Sequence, residues 1–161
     1  MVAYHVDANA ILVEPVKNRG ATTLLNAWQK IFDRLHKAGS RPNAWILDNE
    51  CSTQLKDAMH KNTVTYQLVP PHCHRANAAE RAIQTFKAHF KSGLALLDPD
   101  FPIREWDRLL LQAEITLNLL RSAKVNPKIS AHAFLFGTFG YDKNSLVLPS
   151  IKVLAHSKPD V

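Results

Sequence analysis

Hydrophobic positions in the first third of the chain follow two different spacings, which predict strands and helices in turn. Two short strand-like runs, at 2–6 and 10–14, flank the segment Asp-Ala-Asn-Ala, and this pattern is typical of a β-hairpin. Residues 22–38 have apolar positions at helical spacing, and Gly39 follows as a helix stop. The predicted buried face of this helix carries Leu24, Trp28, Ile31 and Leu35.

The rest of the chain continues this alternation. The pattern predicts a strand at 44–47, a short helix at 52–61, a strand at 64–69, and long helices at 77–97 and 105–121. The predicted core face of the last helix carries Trp106, Leu109, Leu110, Ala113, Leu117 and Leu120. A short helix at 130–136 should end at Gly137, and a tail with short apolar runs follows. Strands that alternate with helices indicate a mixed α/β sheet with helices packed on it.

Composition narrows the possible functions. The 161 residues suit one domain, and the net charge of +6 favours an anionic partner, of which nucleic acid is the commonest. A merely basic protein would have the same charge. Cys51 and Cys73 are too few for a disulfide scaffold. No apolar run is long enough to cross a bilayer and the N-terminus lacks a signal-peptide pattern, so we expect an intracellular protein of the nucleus or cytoplasm, with no membrane association.

Two carboxylates on different elements are the main candidates for chemistry. Asp48 ends the strand at 44–47, and Glu80 lies in the first turn of the helix at 77–97. In a basic protein this pattern suits phosphoryl transfer by a pair of Mg²⁺ or Mn²⁺ ions about 4 Å apart. Both residues also have a structural interpretation. Asp48-Asn49 is good turn chemistry, and Asn77 with Glu80 three residues later forms a capping-box pattern.

A row of polar residues follows Glu80 on one face of its helix. Gln84, Lys87 and Lys91 come at spacings that keep them in line with the carboxylate, and Arg81 begins the adjacent stripe. A DNA phosphate backbone could run along this row, although a solvated helix face would look the same. The segment His72-Cys73-His74 does not favour zinc, because three consecutive ligands fit a tetrahedral site poorly.

Several motifs, in this order, resemble the integrase catalytic core of LTR retrotransposons, with the copia-type group as the nearest match. They are Asp48-Asn49 after an apolar strand, the run Tyr-Gln-Leu-Val-Pro-Pro-His, and Asn77-Ala-Ala-Glu80-Arg81. The stretches beginning at Ser130 and Ile151 resemble the segment downstream of the core in that group. The resemblance covers nearly the whole chain and implies a core at 1–125 with a short tail at 126–161.

The resemblance implies a ribonuclease-H-like mixed sheet flanked by helices. It also implies an Asp, Asp, Glu triad that uses Mg²⁺ or Mn²⁺ for 3′-end processing and strand transfer of element DNA into target DNA. Asp48 matches the second acid and Glu80 the third, both as catalytic metal ligands. The DNA contacts implied are Asn49, Asn77, Arg81, Gln84, Lys87 and Lys91, with Lys87 the best match. Family members work as multimers, so self-association is a further expectation.

Two departures from the family pattern change these expectations. The interval from Asp48 to Glu80 is shorter than usual, and no acidic residue matches the first acid, because Asp7 falls in the hairpin. We therefore expect the first, central strand of the fold to be missing, with a weakened or rearranged sheet and low metal affinity. The alternative function is a catalytically inactive relic or a domesticated domain that binds DNA or a protein partner.

Overall fold

A computed structural model describes residues 1–48, 51–69, 78–144 and 146. The strands are β1 (Val2–His5), β2 (Ala10–Val13), β3 (Ala44–Leu47) and β4 (Thr65–Leu68). The helices are α1 (Ala21–Lys37), α2 (Thr53–Lys61), α3 (Ala78–Ala95), α4 (Leu109–Leu120) and α5 (Ala131–Phe136), and a 3₁₀ helix, Ile103–Arg108, precedes α4. The predicted mixed α/β order is confirmed. The short apolar runs of the tail lie outside the described residues, apart from Leu146.

The four strands form two separate two-stranded sheets. β1 and β2 are an antiparallel hairpin in which Val2 lies opposite Val13 and His5 opposite Ala10. β3 and β4 are parallel, with Leu47 beside Leu68. Within the described ranges no backbone hydrogen bond joins the two sheets. The expected absence of a central strand stays a prediction.

Helix α1 lies across both sheets because its apolar face is wide. Ile31 and Leu35 pack against the inner face of the hairpin, together with residues of α5. Trp28 and Phe32 pack with α2 and with residues beside β4. Trp45 on β3 contacts both groups and therefore bridges them. The predicted buried face of this helix is confirmed at Trp28, Ile31 and Leu35.

Helices α3 and α4 cover the other face of the hairpin. The cluster between them contains Ile11, Val13, Ala82, Phe86, Leu110 and Leu117. Two predicted core positions of the 105–121 segment are wrong, since Trp106 is 42% exposed and Leu120 is 81% exposed. Trp106 belongs to the 3₁₀ helix, which breaks the helical register before α4, and Leu120 is the last residue of α4.

Two polar residues of α4, Glu114 and Asn118, are buried, whereas Trp106 and Leu120 are exposed. Asn118 accepts a hydrogen bond from the Ile11 N–H at 2.9 Å and donates one to the Ile11 carbonyl at 2.8 Å. Glu114 Oε2 accepts from the Val13 N–H at 2.6 Å, and its carboxylate also pairs with Arg34 of α1. These side chains hydrogen bond to the outer edge of β2, so this edge is closed by α4.

No helix in the part of the chain that the structure describes is long and apolar enough to cross a membrane.

Helix α5 packs on α4, and two of its residues, Ala131 and Leu135, belong to the cluster under the hairpin. The division of the chain into a core and a tail at residue 125 stays a prediction.

Candidate metal and nucleic-acid site

Asp48 follows directly after β3 and is exposed. Its carbonyl accepts a hydrogen bond from the Cys51 N–H at 3.2 Å. Ser52 then caps α2 by accepting from the Leu55 N–H at 3.3 Å. Because β3 is paired with β4 up to Leu47, the backbone that leads into Asp48 is held in place. Asp48 thus follows the end of its strand, as predicted, and the structure adds that this strand is paired in parallel with β4.

Glu80 lies in the first turn of α3 and is half-buried. Helix α3 is anchored on β1 and α4, with Ala82 and Phe86 as its buried residues. A carboxylate in the first turn is favoured by the partial positive charge at a helix N-terminus, whatever its other role. The cap residue proposed for this helix, Asn77, lies outside the described residues, so the capping-box interpretation stays a prediction.

Other predicted positions also fall outside the described residues. These are Asn49, the Pro70–Pro71 segment and the triplet His72-Cys73-His74. Their suggested roles stay predictions. Cys51 is described and half-buried, and burial raises the pKa of its thiol, with a smaller opposing effect from the charge of Lys56. A raised pKa keeps this thiol protonated near neutral pH, which disfavours Cys51 as a metal ligand.

The predicted polar row on α3 faces solvent. Its members are Arg81, Gln84, Lys87 and Lys91, all of them exposed. None of its three cations forms an ion pair with another described residue. Since Ala82 and Phe86 are buried on the opposite side, α3 presents this row without loss of packing. The row is therefore available to an anionic partner.

His89 differs from its neighbours on this helix. Its Nε2 lies 3.0 Å from Thr116 Oγ1 on α4, and its ring is half-buried. Thr116 in turn donates to the Gln112 carbonyl at 2.9 Å. His89 consequently ties α3 to α4 and lies outside the polar row.

The carboxylate oxygens of Asp48 and Glu80 are the type of donor atom that a hard divalent ion prefers. Mg²⁺ prefers carboxylate and phosphate oxygens, and one or two protein carboxylates commonly suffice when substrate phosphates complete the shell. Within the described ranges, no group of three or more His, Cys, Asp or Glu side chains is placed to hold a metal ion. The described residues therefore supply two candidate ligands but not a complete set for two ions.

Comparison with solved structures places this architecture among retroviral integrase cores. A chain of the cryo-EM structure of the simian T-cell lymphotropic virus intasome in complex with PP2A regulatory subunit B56 gamma is similar over 98% of this chain, with a TM-score of 0.65 and 15% identity. The catalytic core domain of BIV integrase is similar over 83% of this chain and 82% of its own, with a TM-score of 0.61 and 13% identity. No protein-family model and no curated protein sequence matches the chain.

These likenesses show the fold. The chain has a ribonuclease-H-like fold of the integrase-core type. The sequence identities of 15% and 13% are too low for the comparison to show more than the fold. It spans only 53% of the length of the intasome chain that it matches. The activity, substrates and assembly of the longer proteins are therefore not transferred to it by the likeness alone.

Proposed function

We propose that this chain is the catalytic-core part of an LTR-retrotransposon integrase of the copia type, and that it binds DNA along the exposed row of α3. One observation carries the proposal: a row of exposed polar and cationic side chains follows Glu80 along the solvent-facing surface of α3. These residues are Arg81, Gln84, Lys87 and Lys91. The integrase-core fold supports it, as does the order of the motifs around Asp48 and Glu80.

The proposed DNA contact is mainly electrostatic. Arg81, Lys87 and Lys91 are exposed cations on one helix, and a phosphate backbone that follows the helix would meet them in succession. Gln84 could contact either a phosphate or a base edge. In the proposed role, the DNA comprises element ends and target DNA, and a second copy of the chain could extend the surface.

The proposed chemistry uses Asp48 and Glu80 as ligands of Mg²⁺ or Mn²⁺. Bound divalent ions in such a site serve to activate the attacking oxygen and to stabilise the leaving one. Asp48 would be held by the pairing of β3 with β4, and Glu80 by the packing of α3 on β1. Rigid elements of this kind keep ligands in a productive geometry. The adjacent row on α3 would hold the phosphodiester in place.

Two measurements test metal binding and DNA chemistry separately. Titration calorimetry with Mn²⁺ would be performed on the wild-type chain and on Asp48→Asn and Glu80→Gln, with Asp33→Asn on α1 as a control. We expect weak binding that each site variant abolishes and that the control retains. A gel assay with labelled element-end DNA and Mn²⁺ then measures cleavage and strand transfer. Mn²⁺ binding that is unchanged in both site variants would overturn the assignment of these two ligands.

A non-catalytic DNA-binding domain is the second candidate. It is favoured by the exposed cations of α3, which can bind a phosphate backbone without any catalytic acid. Salt-sensitive DNA binding without Mn²⁺ binding or strand transfer would support this candidate. If the chain showed neither DNA binding nor metal binding, both candidates would be wrong.

A further inference from the structure

An open cavity lies where the C-terminal ends of α1 and α5 meet, and its volume is about 500 Å³. Residues of both helix ends line it, and these are Arg34, Lys37, Ala38, Leu135, Phe136 and Gly137. Gly137 has a φ of +83°, and no described heavy atom lies within 4 Å of the point where a Cβ would be. A ligand can therefore approach the backbone closely at this point.

The guanidinium of Arg34 forms a fixed, flat part of the cavity wall. Both of its terminal nitrogens pair with the buried carboxylate of Glu114, and its Cζ lies 5.9 Å from the centre of the Phe136 ring. Because Glu114 already neutralises its charge, Arg34 contributes a planar surface here more than a free cation. Aromatic rings and guanidinium planes are surfaces on which nucleobases stack.

Lys37 supplies the free charge of the cavity. It lies one turn after Arg34 on α1, is exposed, and forms no ion pair with another residue in the described ranges. Lys30 on the same helix, by contrast, is paired with Glu14. The cavity thus combines an uncompensated cation with a flat wall, and this combination suits an anion that carries a planar ring.

Aromatic side chains continue from the cavity into the segment after α5. We call Phe136, His132, Phe139 and Tyr141 the aromatic strip. Its ring centroids lie 5.4 Å, 5.4 Å and 4.9 Å apart in that order. The rings at its two ends are the exposed ones, with Phe136 36% and Tyr141 64% exposed, and an exposed lysine, Lys143, follows the second. Each end of the strip therefore has an exposed ring with a lysine nearby.

This pattern favours a single nucleic-acid strand as the ligand. Such a strand alternates flat bases with phosphates, and proteins bind it by combining aromatic stacking with positive charge. A duplex fits the strip less well, because neighbouring bases cover the faces of each base. Asp142 is the only acidic residue in the segment 130–146, so little negative charge opposes a phosphate here.

We propose that the cavity and the aromatic strip bind unpaired nucleotides of a single DNA strand. Bases stack on Phe136 and Tyr141, and Lys37 and Lys143 contact the phosphates. This surface is distinct from the polar row of α3. Leu135 of α5 belongs to the cluster on one face of the hairpin, whereas the buried residues of α3 belong to the cluster on the other face.

Three labelled ligands provide the test. The probe is a fluorescein-labelled oligothymidylate of about 12 nucleotides, which is within the usual length of such sites. An abasic strand of the same length keeps the phosphates but lacks the bases, and a blunt duplex keeps the bases but covers their faces. Fluorescence anisotropy should show that the wild-type chain binds oligothymidylate at least about tenfold more tightly than the abasic strand.

A pair of variants on α5 locates the stacking. Phe136→Leu keeps an apolar side chain but loses the ring, so it should weaken oligothymidylate binding about tenfold and leave duplex binding unchanged. Phe134→Leu is the matched control, because Phe134 is also 36% exposed but does not line the cavity. It should change the affinity less than about twofold. Phe136→Tyr keeps a ring and should retain the wild-type affinity, which separates loss of stacking from loss of structure.

Salt dependence separates the ring from the charge. Lys37→Gln should lower the slope of log K against log salt for oligothymidylate by about 0.7, whereas Phe136→Leu should leave this slope unchanged. The double variant Lys87→Gln with Lys91→Gln should retain the preference for oligothymidylate over the abasic strand, because the bases do not bind at α3.

Four results would overturn the proposal. These are no binding of oligothymidylate, equally tight binding of the abasic strand, equal effects of Phe136→Leu and Phe134→Leu, or an equal loss of duplex binding in Phe136→Leu. Loss of the preference for bases in the double variant of α3 would also contradict it, since the bases would then bind along the polar row.

Discussion

The side chain of Asn118 forms with Ile11 both of the hydrogen bonds that a neighbouring strand would form. The Ile11 N–H donates to Oδ1 at 2.9 Å, and Nδ2 donates to the Ile11 carbonyl at 2.8 Å. One turn earlier, Glu114 accepts from the Val13 N–H. Helix α4 thus replaces a strand at this edge of the hairpin, and the hairpin cannot be extended on this side.

Replacement of Asn118 by Leu should therefore be strongly destabilising. The variant leaves a buried N–H and a buried carbonyl of Ile11 without partners, which should lower the free energy of unfolding by about 2–4 kcal/mol. Urea unfolding followed by circular dichroism measures the change. Asn26→Leu on the exposed side of α1 is the matched control, and we expect it to change stability by less than about 0.5 kcal/mol. Equal effects of the two variants would disprove the role of Asn118.

The buried pair between Arg34 and Glu114 gives a second prediction. Glu114 is 2% exposed, so Arg34→Met would leave a buried carboxylate without its cation and should cost about 3 kcal/mol or more. Adding Glu114→Gln should recover part of that loss, because a neutral amide can still accept from Val13 N–H. The pair of Lys30 with Glu14, in which the lysine side chain is 66% exposed, is the control, and Lys30→Met should cost less than about 1 kcal/mol. A double variant less stable than Arg34→Met alone would contradict this account.

The sequence predicted the elements well because their patterns are local. The turn between β1 and β2, the apolar face of α1 and the strand that ends at Asp48 each depend on neighbouring residues. The burial of Asn118 could not be predicted, since α4 is apolar on most of its surface and its polar residues would be expected to face solvent. Their partners on β2 lie about a hundred residues away in the chain. The exposure of Lys87 and Lys91 was predictable from spacing, whereas the turn of His89 towards Thr116 depends on how α3 meets α4.

His5 should make stability depend on pH. Burial lowers its pKa from 6.5, and the charge of Asp7 opposes this only in part. The neutral ring accepts from the Ala8 N–H at Nδ1, which leaves Nε2 as the donor to Ser40. Since the unfolded chain binds the proton more readily, the contribution of His5 is complete above pH 6.5 and is lost as the pH falls through the lowered pKa.

Unfolding free energies measured between pH 5 and 7.5 test this prediction. The wild-type protein should lose stability towards pH 5, and His5→Gln should lose less over the same interval. His60→Gln on the exposed side of α2 serves as the matched control for replacing a histidine by glutamine. If His5→Gln and the wild-type protein had parallel profiles, His5 would not be the titrating group.

The polar row of α3 should determine how DNA binding depends on salt. Each phosphate contact contributes about 0.9 to the slope of log K against log salt, so Lys87→Gln with Lys91→Gln should reduce the slope by about 2. The control variant, Lys56→Gln with Lys61→Gln, also removes two positive charges, but from α2 instead of from this row. It should change the slope much less. Fluorescence anisotropy with a labelled duplex at several salt concentrations measures both. Equal slopes for the two double variants would mean that net charge, rather than this helix face, determines the interaction.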